Sequence, residues 1–347
     1  MPLLDSLQQA FSLISKRPGK TTMLTTISYG EALVDMLSNR IGEHKDGPET
    51  FTKFAGGAPA NVAVAIARLG GQSRLAGKLG EDMFGEFLRS ELNNAGVNTD
   101  CLLSTNEANT ALAFVSLDNQ GERSFSFYRN PSADMLFKSE EFAPEWFVQP
   151  GIFHFCSNTL TTANTAAVTQ SGVEAAHNQG WLISFDVNLR HNLWSSGSAN
   201  NDVIKPLIAQ SDLLKMSKEE LEYLCENASE AEFLHQVLSD KTQLVLITDG
   251  GNPLRIITQN TQGTLHEQTL TPPPATMVDS TGAGDAFIGG FLYQLATHLD
   301  NPKELSHFCQ NTEQLLQSLM FAARCGGHTA SHYGAFSAMP TLQDIEE

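Results

Sequence analysis

From Met23 onward, short continuous apolar runs alternate with longer stretches whose apolar residues recur at helical spacing. This alternation predicts β-α-β units and an α/β fold with a mostly parallel central sheet flanked by helices. Buried strands are expected at Met23–Tyr29, Ile152–Cys156, Leu182–Val187, Leu213–Met216 and Leu244–Thr248. Helices are expected between them, at Asn61–Leu69, Glu86–Ala95, Asn164–Asn178, Lys218–Glu226 and Ala286–Leu295. Each strand ends in polar or glycine residues, the end at which open α/β sheets hold their ligands. No internal repeat or low-complexity segment interrupts the pattern.

Two places depart from it. Ala111–Leu117 and Arg123–Tyr128 are strand-like around Asp118-Asn119-Gln120-Gly121, with Arg123, Phe125 and Phe127 sharing one face. This is an antiparallel hairpin, either a simple sheet edge or, paired with residues near Arg40–Phe54, a small second sheet over the main one. Residues 1–22 carry only a weak stripe (Leu3, Leu4, Leu7, Phe11, Ile14) followed by Lys16, Arg17 and Lys20. They read as an N-terminal extension without the compact apolar region of a secretory signal, and Met23 is an alternative start.

Composition narrows the partners. Of 347 residues, 21 are Lys or Arg and 39 are Asp or Glu, a formal charge of −18. Nucleic-acid backbones, which need clustered cations, are therefore not expected. An anionic ligand would have to be held by backbone N–H groups, helix N-termini, a metal ion and a few placed cations. With 41% hydrophobic and 17% charged residues, the chain reads as a globular protein with a large core. No apolar run approaches the roughly 18 residues of a membrane span. Five cysteines without CxxC spacing (Cys101, Cys156, Cys225, Cys309, Cys325) point to reduced thiols and a cytoplasmic protein.

The segment richest in chemistry is Val278-Asp279-Ser280-Thr281-Gly282-Ala283-Gly284-Asp285-Ala286-Phe287. A turn of small residues leads straight into a helix, whose N-terminal amides attract an anion that can come close to the backbone. Asp285 in the first turn is then placed to take a proton from an alcohol. The same residues also fit an ordinary helix start capped by Asp279 or Thr281. Neither a Walker A loop nor GxGxxG is present. The second segment, Gly56-Gly57-Ala58-Pro59-Ala60-Asn61 leading to Gly70, combines a close-approach backbone with the donor and acceptor of Asn61. It fits a tightly packed core helix equally well, with Gly70 ending it.

Together these two segments resemble the paired signatures of the ribokinase/PfkB sugar kinases. Gly30-Glu31-Ala32-Leu33-Val34-Asp35, Gly121-Glu122-Arg123 and Phe127-Tyr128-Arg129-Asn130-Pro131-Ser132-Ala133-Asp134-Met135 are similar to the fructokinase branch. The resemblance runs from about Thr26 to Pro340. It implies a ribokinase-like fold with residues 23–347 as one kinase domain, lid segments at about 40–54 and 107–131, and phosphorylation of D-fructose by ATP with Mg²⁺. It makes Asp285 the general base and Gly282, Ala283 and Gly284 the anion hole, with Asp35, Gly56, Gly57 and Asn61 gripping sugar hydroxyls.

Further roles follow from the resemblance. Arg129 and Arg190 are candidate substrate contacts. Lys215, Thr248 and Gly250 fall in the nucleotide-phosphate region, and Glu220 is expected to hold the Mg²⁺ water shell. Ser217-x-x-Glu220 is also a capping box. Asp279, Thr281 and the backbone near Thr329, His332 and Gly334 overlie a monovalent-cation loop, which makes K⁺ a candidate activator. His328 and His332 lack the context of a zinc site. The partners implied are a small sugar and ATP, without nucleic acid or membrane, and a homodimer through the lid. The competing readings are a 2-keto-3-deoxygluconate kinase or another sugar or nucleoside kinase, with Arg129 and Arg190 on a sugar-acid carboxylate, and a non-catalytic sugar-binding regulator.

Overall fold

The computed structural model describes residues 23–41, 48–117, 123–129, 131–259 and 264–346. The extension at 1–22 and the turn at 118–121 lie outside the described residues. The strands are β1 Thr25–Tyr29, β2 Leu33–Ile41, β3 Phe51–Gly56, β4 Ser73–Gly80, β5 Leu102–Thr105, β6 Leu112–Leu117, β7 Arg123–Tyr128, β8 Gly151–Cys156, β9 Leu182–Asp186, β10 Leu213–Ser217, β11 Leu244–Thr248, β12 Leu254–Gln259 and β13 Leu265–Leu270.

Nine of them form one sheet in the order β13-β12-β11-β10-β9-β8-β1-β4-β5. Pairing is parallel from β11 to β5 and antiparallel only at β11–β12 and β12–β13. The apolar runs sort by alternation. Leu182, Leu244 and Leu246 pack with Phe287, Ile288 and Phe291 on one face. Ile183, Phe185, Val245 and Ile247 pack with Val173, Ile204 and Phe233 on the other. Both faces are covered by helices, which is why these strands read as continuous apolar runs.

The remaining four strands form the second sheet, in the order β3-β2-β6-β7. Its β6–β7 hairpin pairs Leu112 with Tyr128 and Leu117 with Arg123. β2 begins further upstream than residue 40: it runs from Leu33 to Ile41, and β3 from Phe51 to Gly56, so Asp35 stands on the small sheet itself. β4, β5, β12 and β13 lie outside the strands expected from sequence. Gly77 and Lys78 interrupt the apolar run of β4, and Lys78 is buried only because it bonds the Leu136 carbonyl and Glu141. β13 has no strand beyond it in the sheet and shows a half-exposed, polar pattern.

Two helices bring the signature segments together. Ala58–Arg68 and Ala283–His298 pack against each other through small residues. A Cβ built on Gly289 would lie 2.7 Å from the Ala65 Cβ and 3.2 Å from the Val62 carbonyl. Both contact atoms belong to backbone or near-backbone positions and cannot swing aside. Gly289→Val is therefore expected to lower stability by about 1–3 kcal/mol through overpacking. Thermal melting should show a drop of about 2–4 °C for each kcal/mol lost, and an unchanged melting point would contradict this packing.

Candidate active site

The helix Ala283–His298 starts from Gly282, whose backbone is left-handed at φ 75°. A side chain there would be strained by that conformation and would crowd the Met339 methyl. Gly282, at the N-cap, has no side chain with which to cap this helix. Asp279 is occupied elsewhere: its Oδ1 accepts from the Thr281 N–H and its Oδ2 from the Gly334 N–H. Of the expected anion-hole amides, Ala283 N–H donates to the Ser280 carbonyl at 3.2 Å. The helix start beside Gly282 and Gly284 is a favourable seat for a phosphoryl group.

Asp285 is buried in the first turn of that helix. Asn61 Nδ2 donates to its Oδ2 at 2.7 Å, joining the two signature segments across 224 residues of chain. Asn188 Nδ2 donates to its Oδ1 at 3.3 Å. Burial raises the Asp285 pKa above the ordinary aspartate value, and the Asn61 bond and the charges of Lys215 and Arg190 oppose that rise.

Lys215, in the middle of β10, is buried and paired with Asp186 Oδ2 at 2.9 Å. A Cβ on Gly284 would lie 3.3 Å from its Nζ, so the ammonium stands against the glycine turn. Burial alone would lower the Lys215 pKa, but Asp186, Glu220 and Asp285 outweigh it and the group stays cationic. Glu220 forms the capping box with Ser217, its Oε2 accepting from the Ser217 N–H, while its Oε1 accepts from the Leu189 N–H at 2.6 Å. Both oxygens are thus engaged by backbone N–H groups.

On the opposite side, Asp35 pairs in register with Phe54 of β3 and Ala113 of β6. A Cβ on Gly56 would meet Asp35 Oδ2 at 2.5 Å, so the glycine makes room for this carboxylate. Gly57 has φ 106° and lies against the Glu31 carbonyl. Asn61 Oδ1 is buried without a hydrogen-bond partner in the protein, as is Asp186 Oδ1. Such atoms are costly unless a ligand or water satisfies them.

Two expected substrate contacts have protein partners in this structure. Arg129 is buried and committed internally: its guanidinium meets Asp134 Oδ2 at 2.6 Å and Glu31 Oε2 at 3.7 Å, and bonds the Asn158 carbonyl. A sugar acid would have to displace these carboxylates. Arg190 is exposed and donates to the Leu189 carbonyl, and its charge acts on Asp285. In the nucleotide region, Thr248 Oγ1 donates to the Met216 carbonyl, and Gly250 is left-handed with open space around it.

At the cation loop, Thr329 Oγ1 donates to the Ala338 carbonyl. The His332 side chain is exposed and turned to the His328 carbonyl, so that imidazole does not join Asp279. Among the described residues no group of three His, Cys, Asp or Glu side chains is arranged to hold a metal ion. Asn188, Asp186, Glu31 and Asn158 lie outside the site residues expected from sequence. The polar end of β9 was the available signal for the first two.

Residues 23–342 match the family model described as pfkB family carbohydrate kinase. The chain belongs to the pfkB family of carbohydrate kinases. It is therefore a phosphotransferase with an alcohol acceptor. The pfkB kinase is 39% identical to a probable chloroplastic fructokinase-6 of Arabidopsis thaliana, over 92% of this chain and 81% of that one. It is 36% identical to a fructokinase of Vibrio alginolyticus, over 91% and 96% of the two chains. Its fold is ribokinase-like. It superposes on a Xylella fastidiosa fructokinase with bound ATP (TM-score 0.86, 41% identity, 92% and 96% coverage). A Vibrio cholerae O395 fructokinase with fructose, ADP and calcium ion gives TM-score 0.79 at 30% identity, with 94% and 99% coverage.

The Glu31–Arg129–Asp134 cluster has a stability consequence. Arg129→Met leaves two buried carboxylates without their cation and should cost about 3–5 kcal/mol. Adding Glu31→Gln and Asp134→Asn should recover a large part of that loss. Urea denaturation of the single and triple variants measures both, and equal stability of Arg129→Met and wild type would refute the cluster's role.

Proposed function

We propose that this pfkB kinase transfers the γ-phosphoryl group of ATP to D-fructose, giving fructose 6-phosphate and ADP. One observation carries the reading: a buried carboxylate, Asp285, oriented by amides in the first turn of the helix that starts from Gly282. As the sugar's primary hydroxyl oxygen attacks γ-phosphorus, Asp285 takes the hydroxyl proton and ADP leaves on the opposite side. The Gly282–Gly284 turn and the Lys215 ammonium lower the energy of charge developing on the migrating group.

Asp35, Gly56, Gly57 and Asn61 bind sugar hydroxyls, with the unpartnered Asn61 Oδ1 as an acceptor for one of them. The internal neutralisation of Arg129 by Glu31 and Asp134 favours an uncharged ketose over a sugar acid. The relatives named as fructokinases support the same choice.

Mg²⁺ suits the donor set as an ion carried by the nucleotide phosphates, with Glu220 holding its water. When bound, it offsets phosphate charge. K⁺ would bind at the loop of Asp279, Thr281 and the backbone near Thr329, His332 and Gly334, where the Asp279 carboxylate is buried. The small sheet acts as a lid that keeps water from accepting the phosphoryl group, and residues 23–347 work as one domain. The five cysteines, all free and buried, support a reducing compartment such as the cytoplasm. Phe51 and Phe125 on the small sheet, exposed at 39% and 37%, support a homodimer through this element. Sedimentation velocity should give twice the monomer mass, and a monomer at micromolar concentration would exclude it.

A coupled assay for ADP tests the reaction. Fructose should be preferred to 2-keto-3-deoxygluconate in kcat/KM, and replacing potassium by sodium should lower kcat. Asp285→Asn should cut kcat by at least about 10²-fold while sugar binding survives. The base must be ionised to accept the proton. Because burial raises its pKa, activity should fall on the acid side at a pH above that of an ordinary aspartate, about 4. Near-normal turnover by Asp285→Asn would remove it from the role, and sugar binding by wild type without ATP consumption would favour the non-catalytic regulator.

A further inference from the structure

We infer that Asn188 is a positioning residue for the base: paired with Asn61, it fixes the carboxylate plane of Asp285, and Glu220 fixes the turn that presents it. The inference rests on the kinase reading above.

The backbone gives the first argument. Asn188 has φ 38°, and among the described residues only Glu226 is the other non-glycine with a positive φ. A non-glycine residue in this region is strained and persists only where its surroundings over-determine it. Asparagine is among the residues that tolerate it best. Three bonds hold the turn. Val187 N–H donates to the Lys215 carbonyl at 2.8 Å, and Leu189 N–H donates to Glu220 Oε1 at 2.6 Å. Ser157 Oγ donates to the Asn188 carbonyl at 3.3 Å. The strained residue is thus pinned on the N-terminal side by β10, on the C-terminal side by the Ser217–Glu220 capping box, and at its own carbonyl by the residue after β8.

The side chain gives the second. Asn188 is buried, and its amide is spent on Asp285 Oδ1. Asn61 holds Oδ2 from a separate helix. A carboxylate with a donor on each oxygen, from two elements, cannot rotate about its Cβ–Cγ bond without breaking one of them. Its remaining lone pairs then face a fixed direction. Both donors also stabilise the ionised form, which burial disfavours. The titratable groups acting on this carboxylate are Lys215 from β10 and Arg190 from the same turn. Asp186 at the end of β9 and Cys156 at the end of β8 share its surroundings. Glu220 does not contact Asp285; it acts through the Leu189 amide.

Asn188→Gly isolates the effect, because glycine accepts the same backbone conformation and removes only the amide. The variant should keep the wild-type melting point. Its kcat should fall by about 10- to 10²-fold, with KM for fructose and ATP changing by less than about threefold. The acid limb of its kcat–pH profile should move to higher pH, since a donor to the charged form is lost. Asn188→Asp, isosteric but presenting an acceptor to Asp285, should lose more kcat and move the limb further. An Asn188→Gly enzyme with wild-type kcat and an unmoved acid limb, or a loss confined to KM, overturns the inference. Wild-type protein that consumes no ATP with fructose overturns the kinase reading itself, a distinct result.

Discussion

The hydrogen bond between Asn61 and Asp285 is the junction on which the site depends. It is buried, 2.7 Å long, and joins two helix starts from opposite ends of the chain. Its existence requires the two helices to approach closely, and that approach is set by Ala65 and Val62 facing Gly289 rather than by any polar group. Small residues remove the steric obstacle, and apolar burial at Ile66, Phe287 and Phe291 supplies the driving force. The polar contact then sits at the end of an apolar interface that holds its geometry. This division suits catalysis, because orienting a reactive group requires a scaffold that does not move when the group changes charge.

Charge in the site is arranged in two separate compartments. Near the helix start, Asp186, Glu220 and Asp285 surround Lys215, so one buried ammonium is stabilised by three carboxylates. At the junction of the two sheets, Arg129 is neutralised by Glu31 and Asp134. Arg129 follows β7, the last strand of the small sheet, and Glu31 precedes β2, its first. The ion pair therefore ties the outgoing chain to the incoming chain at the base of this sheet. An arginine that reads in sequence as a recognition group serves in the fold as a structural tie, since buried carboxylates demand a local cation.

The parallel sheet was legible because strands covered on both faces are uniformly apolar, as in Leu244–Thr248. β4 was not, because Lys78 and Gly77 break the run, and their burial is explained only by partners distant in sequence, Leu136 and Glu141. β2 was legible only in part. Asp35 was visible as a hydroxyl-gripping candidate, but not as a residue of the small sheet. The helix starts of both signature segments were also legible, since glycine and proline punctuate the chain locally. Asn188 was hidden because its importance lies in a positive φ and a donor–acceptor match to a residue 97 positions away.

By itself the sequence determined the alternation of strand and helix, the small-residue turn before Asp285, and the excess of negative charge. These depend on side-chain periodicity, local backbone freedom and net charge, all of which act over a few residues or need no coordinates. Tertiary structure alone decided the partners of each polar group: that Arg129 is spent on Glu31 and Asp134, that Glu220 is spent on two backbone amides, and that Asp285 is held at both oxygens. Hydrogen bonds and ion pairs are short-ranged and directional, so their pairing follows from how the chain packs.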